Sequence, residues 1–360
     1  MFSQRNIYEP EVWRCSFFEF EGILQQIDSV EMLGPNPKKW FKLGKRIALR
    51  IGRESPIILN PGIPKIRLDR YYDLFFAVCE KPSELLNVNA VMGWKDYCRT
   101  SICWLPELWV KEMSVLKSSL EVLSKFDYVI SSHTQSIGPI SKVIRGKCLY
   151  LSLGVDAILF CPYPGPPKRF IDVLSIGRRS VLTHQALLKM AQEDKIFYIY
   201  DTLSDLHTYN LEQHRFLISN MTKRSRYFIV NPGKVDKPEE RGNQSETGAR
   251  YFEGAAAGSI MIGEQPQNDE FRKLFFWPDA VIQLPYESED IEEVIAEIDR
   301  QPDRAEKIRR TNIVQSLLHH DWVYRWETVL EIAGLKPTPE LLQRKERLKN
   351  LSRMGEKETT

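Results

Sequence analysis

Residues 170–180 have the sequence FIDVLSIGRRS, and a segment with helical periodicity follows at 181–192. An apolar run that ends in glycine before an amphipathic segment is typical of a buried strand that turns into a helix. The pattern recurs through the second half of the chain, with strand candidates at 171–176, 196–200, 227–230, 259–262 and 280–284. Apolar strands that alternate with helices predict a parallel sheet covered on both faces.

Strand and helix candidates also alternate in the first half of the chain, although less regularly. Its strand candidates are 73–79, 101–104, 127–131 and 147–152, and its helix candidates are 17–27, 38–51, 82–97 and 106–123. Between the halves lies CPYPGPP at 161–167, whose four prolines can continue neither a helix nor a central strand. The sequence therefore predicts an α/β protein of two Rossmann-like domains, whose ligand site lies between them at the carboxyl ends of the strands.

The predicted boundaries follow from this alternation. We expect an N-terminal domain over 1–160, a Pro-rich hinge over 161–169, a C-terminal domain over 170–320, a helix over 321–334 and a charged tail over 335–360. Asp321 suits the start of the helix and Gly334 suits its end. The tail is expected to be a solvated helix that frays into disorder at 353–360.

Composition limits the class of protein. The chain has 50 Lys and Arg against 48 Asp and Glu, so its net charge of +2 gives no global attraction to nucleic acid. Its six cysteines form no CxxC pair, which argues against a zinc ribbon or a thioredoxin-type site. The N-terminus lacks a secretory signal and no apolar run is long enough for a membrane helix. We expect a cytoplasmic protein with free thiols.

Residues 246–262 have the sequence ETGARYFEGAAAGSIMI and carry the first candidate site. Helical spacing would place Glu246, Arg250 and Glu253 on one face, and the small residues from Gly254 onward would let the helix approach a ligand. A carboxylate on such a face can accept hydrogen bonds from two ribose hydroxyls. The alternative is an exposed Glu246–Arg250 pair and tight helix packing.

The turn after the first strand of the second half carries a second candidate site. Gly177 allows a close backbone approach, and Arg178 or Arg179 can bind a diphosphate beside a helix N-terminus. The alternative is an ordinary strand-to-helix joint. His133 and Asn231 also follow strand candidates and are expected to face the same cleft, although both also suit ordinary polar turns.

Several catalytic signatures are missing from the sequence. There is no GxSxG, no Walker A motif, no GxGxxG, no Asp-x-Asp and no histidine spacing typical of a metal site. We therefore expect no metal.

With these motifs the second half of the chain resembles a known family. The segment EGAAAG at 253–258 resembles the end of the E-x7-E signature of GT-B glycosyltransferases of group 1, the family 4-like type. The longer segment 250–258 resembles the branch that includes CgeB-like transferases. The resemblance extends over about 150–333 and implies the GT-B fold, in which two Rossmann-like domains face each other across a cleft and a C-terminal helix crosses back to the first.

The family resemblance also implies roles for individual residues. Glu253 is expected to bind the nucleotide ribose. The first glutamate of the signature should stand at 245, which is Ser245 here, so Glu246 is expected near the donor sugar through a shift of one residue, or else is a surface acid. Arg178 or Arg179 is expected to hold the diphosphate, and Arg178, Arg179, Glu246 and His133 are the catalytic candidates.

The other expected roles concern the nucleotide and the acceptor. Backbone groups of Val230 and Asn231 would contact the base, and His133 would contact the acceptor or the sugar. The predicted nucleotide-sugar site comprises Gly177, Val230, Asn231, Arg250, Glu253 and Gly254, with the nucleotide-diphosphate sugar as donor substrate and no further cofactor.

The basic segment 38–50 is a candidate for peripheral membrane contact. It carries Lys38, Lys39, Lys42, Lys45, Arg46 and Arg50 among apolar residues. Basic amphipathic helices can attach to anionic lipid surfaces, and the resemblance to transferases with lipid acceptors is in line with this. A solvated basic face is the alternative.

The resemblance thus implies a glycosyltransferase, hexosyltransferase-like, metal-independent and retaining, with a glycan, a lipid or a small molecule as acceptor. Two alternatives stay open. One is a GT-B sugar-nucleotide epimerase, and the other is a non-catalytic carbohydrate- or nucleotide-binding protein of the same fold.

Overall fold

Two parallel sheets form the framework of the chain. The computed structural model describes residues 1–55, 57–115, 117–202 and 206–357. The strands of the first half are β1 (Ile66–Arg67), β2 (Tyr72–Val78), β3 (Val91–Met92), β4 (Cys98–Leu105), β5 (Tyr128–Ser131) and β6 (Lys147–Tyr150). Strands β2, β4, β5 and β6 pair in that order, and β1 pairs with β3. The prediction of a parallel sheet is confirmed.

The second sheet determines where a ligand can bind. Its strands are β7 (Ile171–Ser175), β8 (Tyr198–Tyr200), β9 (Ser225–Val230), β10 (Ile260–Gly263) and β11 (Ile282–Gln283). They lie in the order β11-β10-β9-β7-β8, all parallel. The connections therefore reverse direction between β7 and β9. In doubly wound sheets the crevice at this switch point, beyond the carboxyl ends of the strands, is where ligands bind.

Helices cover the sheets. In the first half they are α1 (Cys15–Ile27), α2 (Phe41–Glu54), α3 (Leu85–Val88), α4 (Lys117–Leu123), α5 (Ile137–Ser141) and α6 (Ala157–Phe160). In the second half they are α7 (Val181–Gln192), α8 (Leu211–Lys223), α9 (Pro238–Arg241), α10 (Ala249–Ala257), α11 (Asp269–Leu274), α12 (Ile291–Asp299), α13 (Pro302–His319), α14 (Trp322–Ala333) and α15 (Pro339–Lys357). Among the described ranges, no helix combines the length and the apolar character needed to cross a bilayer.

Helix α14 crosses back to the first half, as predicted. The Trp322 ring lies 5.2 Å from that of Phe20, and the Trp326 ring lies 5.4 Å from that of Phe76. Asp321 begins the helix by accepting a hydrogen bond from the Val323 N–H at 3.0 Å. The first sheet lies within the predicted domain 1–160 and the second within 170–320, while the exact boundaries stay a prediction.

Several predicted elements differ in the structure. The helix predicted over 82–97 is broken into short turns and strand β3, because Gly93 takes a left-handed conformation with φ of 62°. Helix α10 begins at Ala249 with Gly248 as its N-cap, so Glu246 lies outside the helix and does not share its face. The tail does not fray at 353, because α15 continues to Lys357 and buries Leu341 and Leu348. Residues 358–360 lie outside the described residues.

Helix α10 packs tightly on the second sheet at Gly254. A Cβ atom there would lie 2.8 Å from the Met261 side chain and 2.8 Å from the Phe228 ring. A Cβ atom at Gly22, in the middle of α1, would have no such neighbour within 4 Å. The glycine at 254 therefore serves the approach of helix to sheet.

Replacing these two glycines should have opposite effects. We expect Gly254→Ala to lower the free energy of unfolding by about 1–3 kcal/mol through overpacking. Gly22→Ala should leave it unchanged or raise it by up to about 1 kcal/mol, because alanine is the better helix former. Chemical denaturation of both variants measures this, and equal stabilities would contradict the packing at Gly254.

Candidate active site

A cavity of about 300 Å³ opens at the switch point of the second sheet. Gly177 and Arg178, which follow β7, line it together with Asn231 and Gly233, which follow β9. Helix α10 contributes Arg250 and Glu253, and α8 contributes His214 and Arg215. The first half closes the cavity with Val12, Trp13, Cys15 and Ser16 at the start of α1. The cavity thus lies between the two halves, at the place that the sequence predicted.

Glu253 is buried at the base of this cavity between two arginines. Its Oε2 accepts a hydrogen bond from Arg250 at 2.6 Å, and its Oε1 is paired with Arg215. Burial opposes ionisation of the carboxyl group, but the charges of Arg250 and Arg215 lower the pKa of Glu253 to about 2. Glu253 is therefore an ionised acceptor that is held in place before any ligand binds.

Arg215 connects this carboxylate to the other half of the chain. Its Nε donates to Glu19 of helix α1 at 2.7 Å, and Glu19 in turn accepts hydrogen bonds from the Trp322 indole and the Asp156 N–H, each at 2.8 Å. The Arg215 side chain is buried, and among the described residues its Nη2 has no hydrogen-bond partner. A chain of charges, Glu19–Arg215–Glu253–Arg250, thus runs from the first half to the cavity, and all its side chains except the half-buried Arg250 are buried.

The two neighbouring arginines after β7 point to different places. Arg178 lines the cavity and donates from Nη1 to both carboxylate oxygens of Asp236, at 2.5 and 2.8 Å. Arg179 is paired with Asp201 at 2.6 Å, and its guanidinium lies 5.3 Å from the ring of Tyr200. Of the two predicted phosphate ligands, the structure therefore brings only Arg178 to the cavity.

The loops on either side of Arg178 are fixed by local hydrogen bonds. Gly177 takes a φ of +94°, which favours glycine, and its N–H donates to Asp201 at 3.2 Å. Ser180 begins α7 by accepting a hydrogen bond from the Thr183 N–H at 3.3 Å. Across the crevice, Asn231 accepts from the Glu264 N–H at 3.2 Å.

Two predicted nucleotide ligands are not part of the cavity lining. Gly254 faces the Phe228 and Met261 side chains in the sheet, and Val230 is buried at the end of β9. Their predicted contact with the nucleotide therefore has no support in the geometry of this cavity. Gly177, Asn231, Arg250 and Glu253 are brought together as expected.

Glu246 is buried at a contact between the halves and is not the exposed acid of the alternative. Its Oε2 accepts hydrogen bonds from the N–H and hydroxyl of Thr134, at 3.1 and 3.3 Å. Its Oε1 accepts from the Gln135 N–H at 3.3 Å and from the Gln244 side chain at 3.2 Å. Glu246 thus binds the first turn of the helical segment that leads into α5.

His133 immediately precedes the turn that Glu246 binds. Its Nδ1 lies 2.9 Å from the Leu108 carbonyl oxygen, and its ring packs edge-to-face on Trp109 at 4.7 Å. Neither His133 nor Glu246 lines the cavity that contains Glu253 and Arg178. Of the four catalytic candidates only Arg178 therefore lines this cavity, while Glu246 and His133 lie near each other at the contact between the halves.

No sequence pattern indicated the part of the cavity that α8 and the start of α1 form. His214 and Arg215 lie on a helix whose composition is typical of a solvated surface, and Val12, Trp13 and Ser16 show no motif. Burial of Arg215 depends on Glu19 and Glu253, which are 196 and 38 residues away in the chain. No local pattern could have shown these contacts. Within the described ranges there is also no cluster of His, Cys, Asp or Glu suited to a metal ion.

Breaking the charge chain should lower the stability of the fold. We expect Arg215→Met to lower the free energy of unfolding by about 3–5 kcal/mol, because it removes the ion-pair partner of the buried Glu19 carboxylate and one of the two arginines paired with Glu253. The matched control is Lys273→Met, which removes the exposed pair with Glu270 and should cause no measurable change. Denaturant unfolding tests this, and a small effect of Arg215→Met would show that the charge chain does not stabilise the fold.

The low pKa of Glu253 predicts a pH dependence. An unfolded glutamate titrates near about 4.3, so the stability from ionised Glu253 is fully present above about pH 5 and is lost as the pH falls towards about 2. We expect the difference in unfolding free energy between wild type and Glu253→Gln to stay constant from neutral pH to about pH 5. Below about pH 4 it should shrink by about 1.4 kcal/mol per pH unit. A difference that grows in acid would contradict the lowered pKa.

Comparison with known proteins finds a family match within the second half of the chain. Residues 213–331, from α8 to α14, match the family model described as glycosyl transferase-like. No curated protein sequence matches the chain.

Solved structures share the architecture along most of the chain. An alpha-glucosyltransferase in complex with UDP and DNA has a TM-score of 0.56 at 10% identity, covering 92% of this chain and 98% of that one. The UDP-forming trehalose-phosphate synthase of Burkholderia vietnamiensis has a TM-score of 0.52 at 12% identity, covering 90% and 83%. HepE of Anabaena, in complex with UDP-glucose, has a TM-score of 0.51 at 11% identity, covering 92% and 98%.

At these identities the structural similarity shows the fold alone. It confirms the GT-B architecture that the sequence resemblance implied, whereas membership of the CgeB-like branch stays a prediction. Because the sequence family covers α8, α10 and α14, it includes Arg215, Arg250 and Glu253 at the cavity. The chain therefore has the GT-B fold, and its residues 213–331 match the glycosyl transferase-like family.

Proposed function

We propose that this chain is a glycosyltransferase that moves a sugar from a nucleotide-diphosphate sugar to an acceptor, without a metal ion and with retention of configuration. One observation carries the proposal: Arg178 and Glu253 line the same cavity at the switch point between β7 and β9. This pairs a cation that can hold a diphosphate with a fixed carboxylate that can accept hydrogen bonds from ribose. Structures of similar fold that contain UDP or UDP-glucose support this donor class.

Glu253 retains the capacity to bind a ribose. A carboxylate has about four lone-pair sites, and the two arginines occupy one on each oxygen. Two vicinal hydroxyls can donate to the remaining positions. Because Arg215 and Arg250 fix both oxygens, ribose binding would not require ordering of the carboxylate, which lowers the entropic cost of binding.

Arg178 would stabilise the diphosphate as it leaves. As the bond between the sugar and the phosphate breaks, negative charge grows on the departing oxygens, and a guanidinium at that position stabilises the charge. The N-terminus of α7, which begins beside Arg178, adds a positive potential. Asp236 holds Arg178 at the rim of the cavity, and the diphosphate would compete for the same N–H groups.

The acceptor would enter from the first domain, whose α1 begins at the cavity. The proposal leaves open whether the acceptor is a glycan, a lipid or a small molecule, and peripheral membrane contact would use the basic segment 38–50. Glu246 already accepts four hydrogen bonds, so we assign it a positioning role between the domains. A contact between His133 and the acceptor or the sugar stays a prediction.

The two arginines after β7 provide the matched pair for a test. The first measurement is a thermal-shift panel with UDP, GDP, ADP, dTDP and CMP, in which a ligand at about 100 times its Kd stabilises the protein by about 2.7 kcal/mol. With the selected nucleotide sugar, Arg178→Ala should reduce turnover by about 10²–10³-fold. Arg179→Ala, which alters a side chain paired with Asp201 outside the cavity, should stay near wild type.

Each alternative predicts a different result. Equal effects of the two arginine substitutions would contradict the assignment of the diphosphate to this cavity. Nucleotide binding without transfer to any acceptor would favour a non-catalytic binding protein. Conversion of the sugar nucleotide in the absence of an acceptor would favour an epimerase.

A further inference from the structure

Helix α2 exposes an apolar ridge, which we define as Trp40, Leu43, Ile47 and Ile51. These side chains are 51%, 60%, 48% and 37% exposed. Their spacing places them on one side of the helix, so they form a continuous strip. Single exposed apolar residues are common on protein surfaces, but a strip of four along one helix indicates a binding surface.

The packing of α2 prevents this ridge from turning inward. The buried side of the helix carries Phe41, Gly44, Ala48 and Gly52, spaced by three or four residues. A Cβ atom at Gly44 would lie 2.4 Å from the Pro61 carbonyl oxygen, and one at Gly52 would lie 1.9 Å from the Ser118 hydroxyl. Because these close contacts accept only glycine, the helix cannot rotate to bury the ridge.

A row of cations runs beside the ridge, and we define it as Lys42, Arg46, Arg50 and Arg53. All four are exposed and are spaced by three or four residues along α2. Among the described residues, Lys42 is the member of the row with an ion pair, to the exposed Glu9 at 3.0 Å. The row therefore presents a local positive charge although the whole chain carries only +2.

A groove of about 850 Å³ borders the cation row on its other side. It lies between α2 and the segment Asn6–Glu11, and Lys42 and Arg46 line it as well as the row. Lys38, Lys39 and Lys45 add three further cations to its lining. A groove of this size and charge favours phosphate groups next to the surface that the ridge contacts.

The order of ridge, cation row and groove across one helix matches the interface of an anionic bilayer. Helices that lie in the membrane plane insert their apolar side between the lipids and place Lys and Arg among the headgroups. A tryptophan at the edge of the apolar side, here Trp40, suits the headgroup level. A protein partner would need an acidic surface beside an apolar groove. An anionic bilayer provides an apolar layer for the ridge and, directly above it, phosphate groups for the cation row.

We propose that α2 is a membrane-docking helix, which seats this chain on a bilayer that contains anionic lipids. The ridge enters the lipid layer and the cation row contacts the phosphates. The inference concerns a surface of the first half and does not depend on the transfer reaction, so its test needs no donor, acceptor or activity.

The experiment is flotation of the full chain with vesicles of phosphatidylcholine, with and without phosphatidylglycerol. We expect the chain to float with the anionic vesicles only, and less so at high salt. The double variant Leu43→Gln, Ile47→Gln should lower partitioning at least about tenfold through lost apolar burial. The triple variant Lys42→Gln, Arg46→Gln, Arg50→Gln should lower it about 100-fold and weaken the salt dependence.

Matched control substitutions lie on α15, which is distant in sequence and equally exposed at the chosen positions. Leu342→Gln and the pair Arg347→Gln, Lys349→Gln should float like wild type. Circular dichroism and thermal unfolding check that every variant is folded. The proposal is overturned if the wild type does not float with anionic vesicles, or if the ridge variants float like the controls. It is equally overturned if the ridge variants abolish a concentration-dependent dimer without affecting flotation, which would assign the ridge to a second copy.

Discussion

The charge chain through Arg215 is the interaction on which the geometry of the donor cavity depends. One guanidinium contacts Glu19 of α1 and Glu253 of α10 from its own position on α8, so three helices from two domains meet at a single side chain. Glu19 is bonded in addition to the Trp322 indole, which ties the crossover helix to the same point. A change in the angle between the domains would separate the paired charges of Arg215 and Glu19, whose side chains are both buried. Arg215 thus couples the position of the ribose-binding candidate to the closure of the cleft.

The sequence was sufficient to predict the architecture, because apolar strands and helices leave a pattern that depends only on nearby residues. It also placed Gly177, Asn231 and Glu253 near one another, since the carboxyl ends of parallel strands meet at one edge of a sheet. It could not choose between Arg178 and Arg179, because that choice depends on the turn at Gly177 and on Asp201 and Asp236, which come from other loops. Nor could it identify Arg215, whose burial is decided by partners far away in the chain.

Glu246 shows how helical spacing can mislead at the level of a single residue. The prediction placed it on the face of a continuous helix with Glu253, and the helix instead begins after Gly248. Because Glu246 lies before the helix, its carboxylate extends across the cleft and accepts hydrogen bonds from the N–H groups of Thr134 and Gln135. The signature has an altered spacing in this chain, and Glu246 contacts the first domain from the second. That contact and the Arg215 chain fix the cleft at two separate points.

One segment of the chain connects the groove beside α2 with the candidate site cavity. The groove beside α2 is lined by residues of the segment 6–11, and the candidate site cavity is lined by Val12, Trp13, Cys15 and Ser16. One short stretch of chain therefore joins the two surfaces. Arg14 anchors this stretch through buried ion pairs with Glu80 at 3.0 Å and Glu84 at 2.8 Å. An acceptor that approaches along the docked surface would therefore follow a fixed wall towards the donor. In the proposed reaction the first domain would contribute chiefly by fixing where the acceptor arrives, which is the kind of positioning that lowers the entropic part of a reaction barrier.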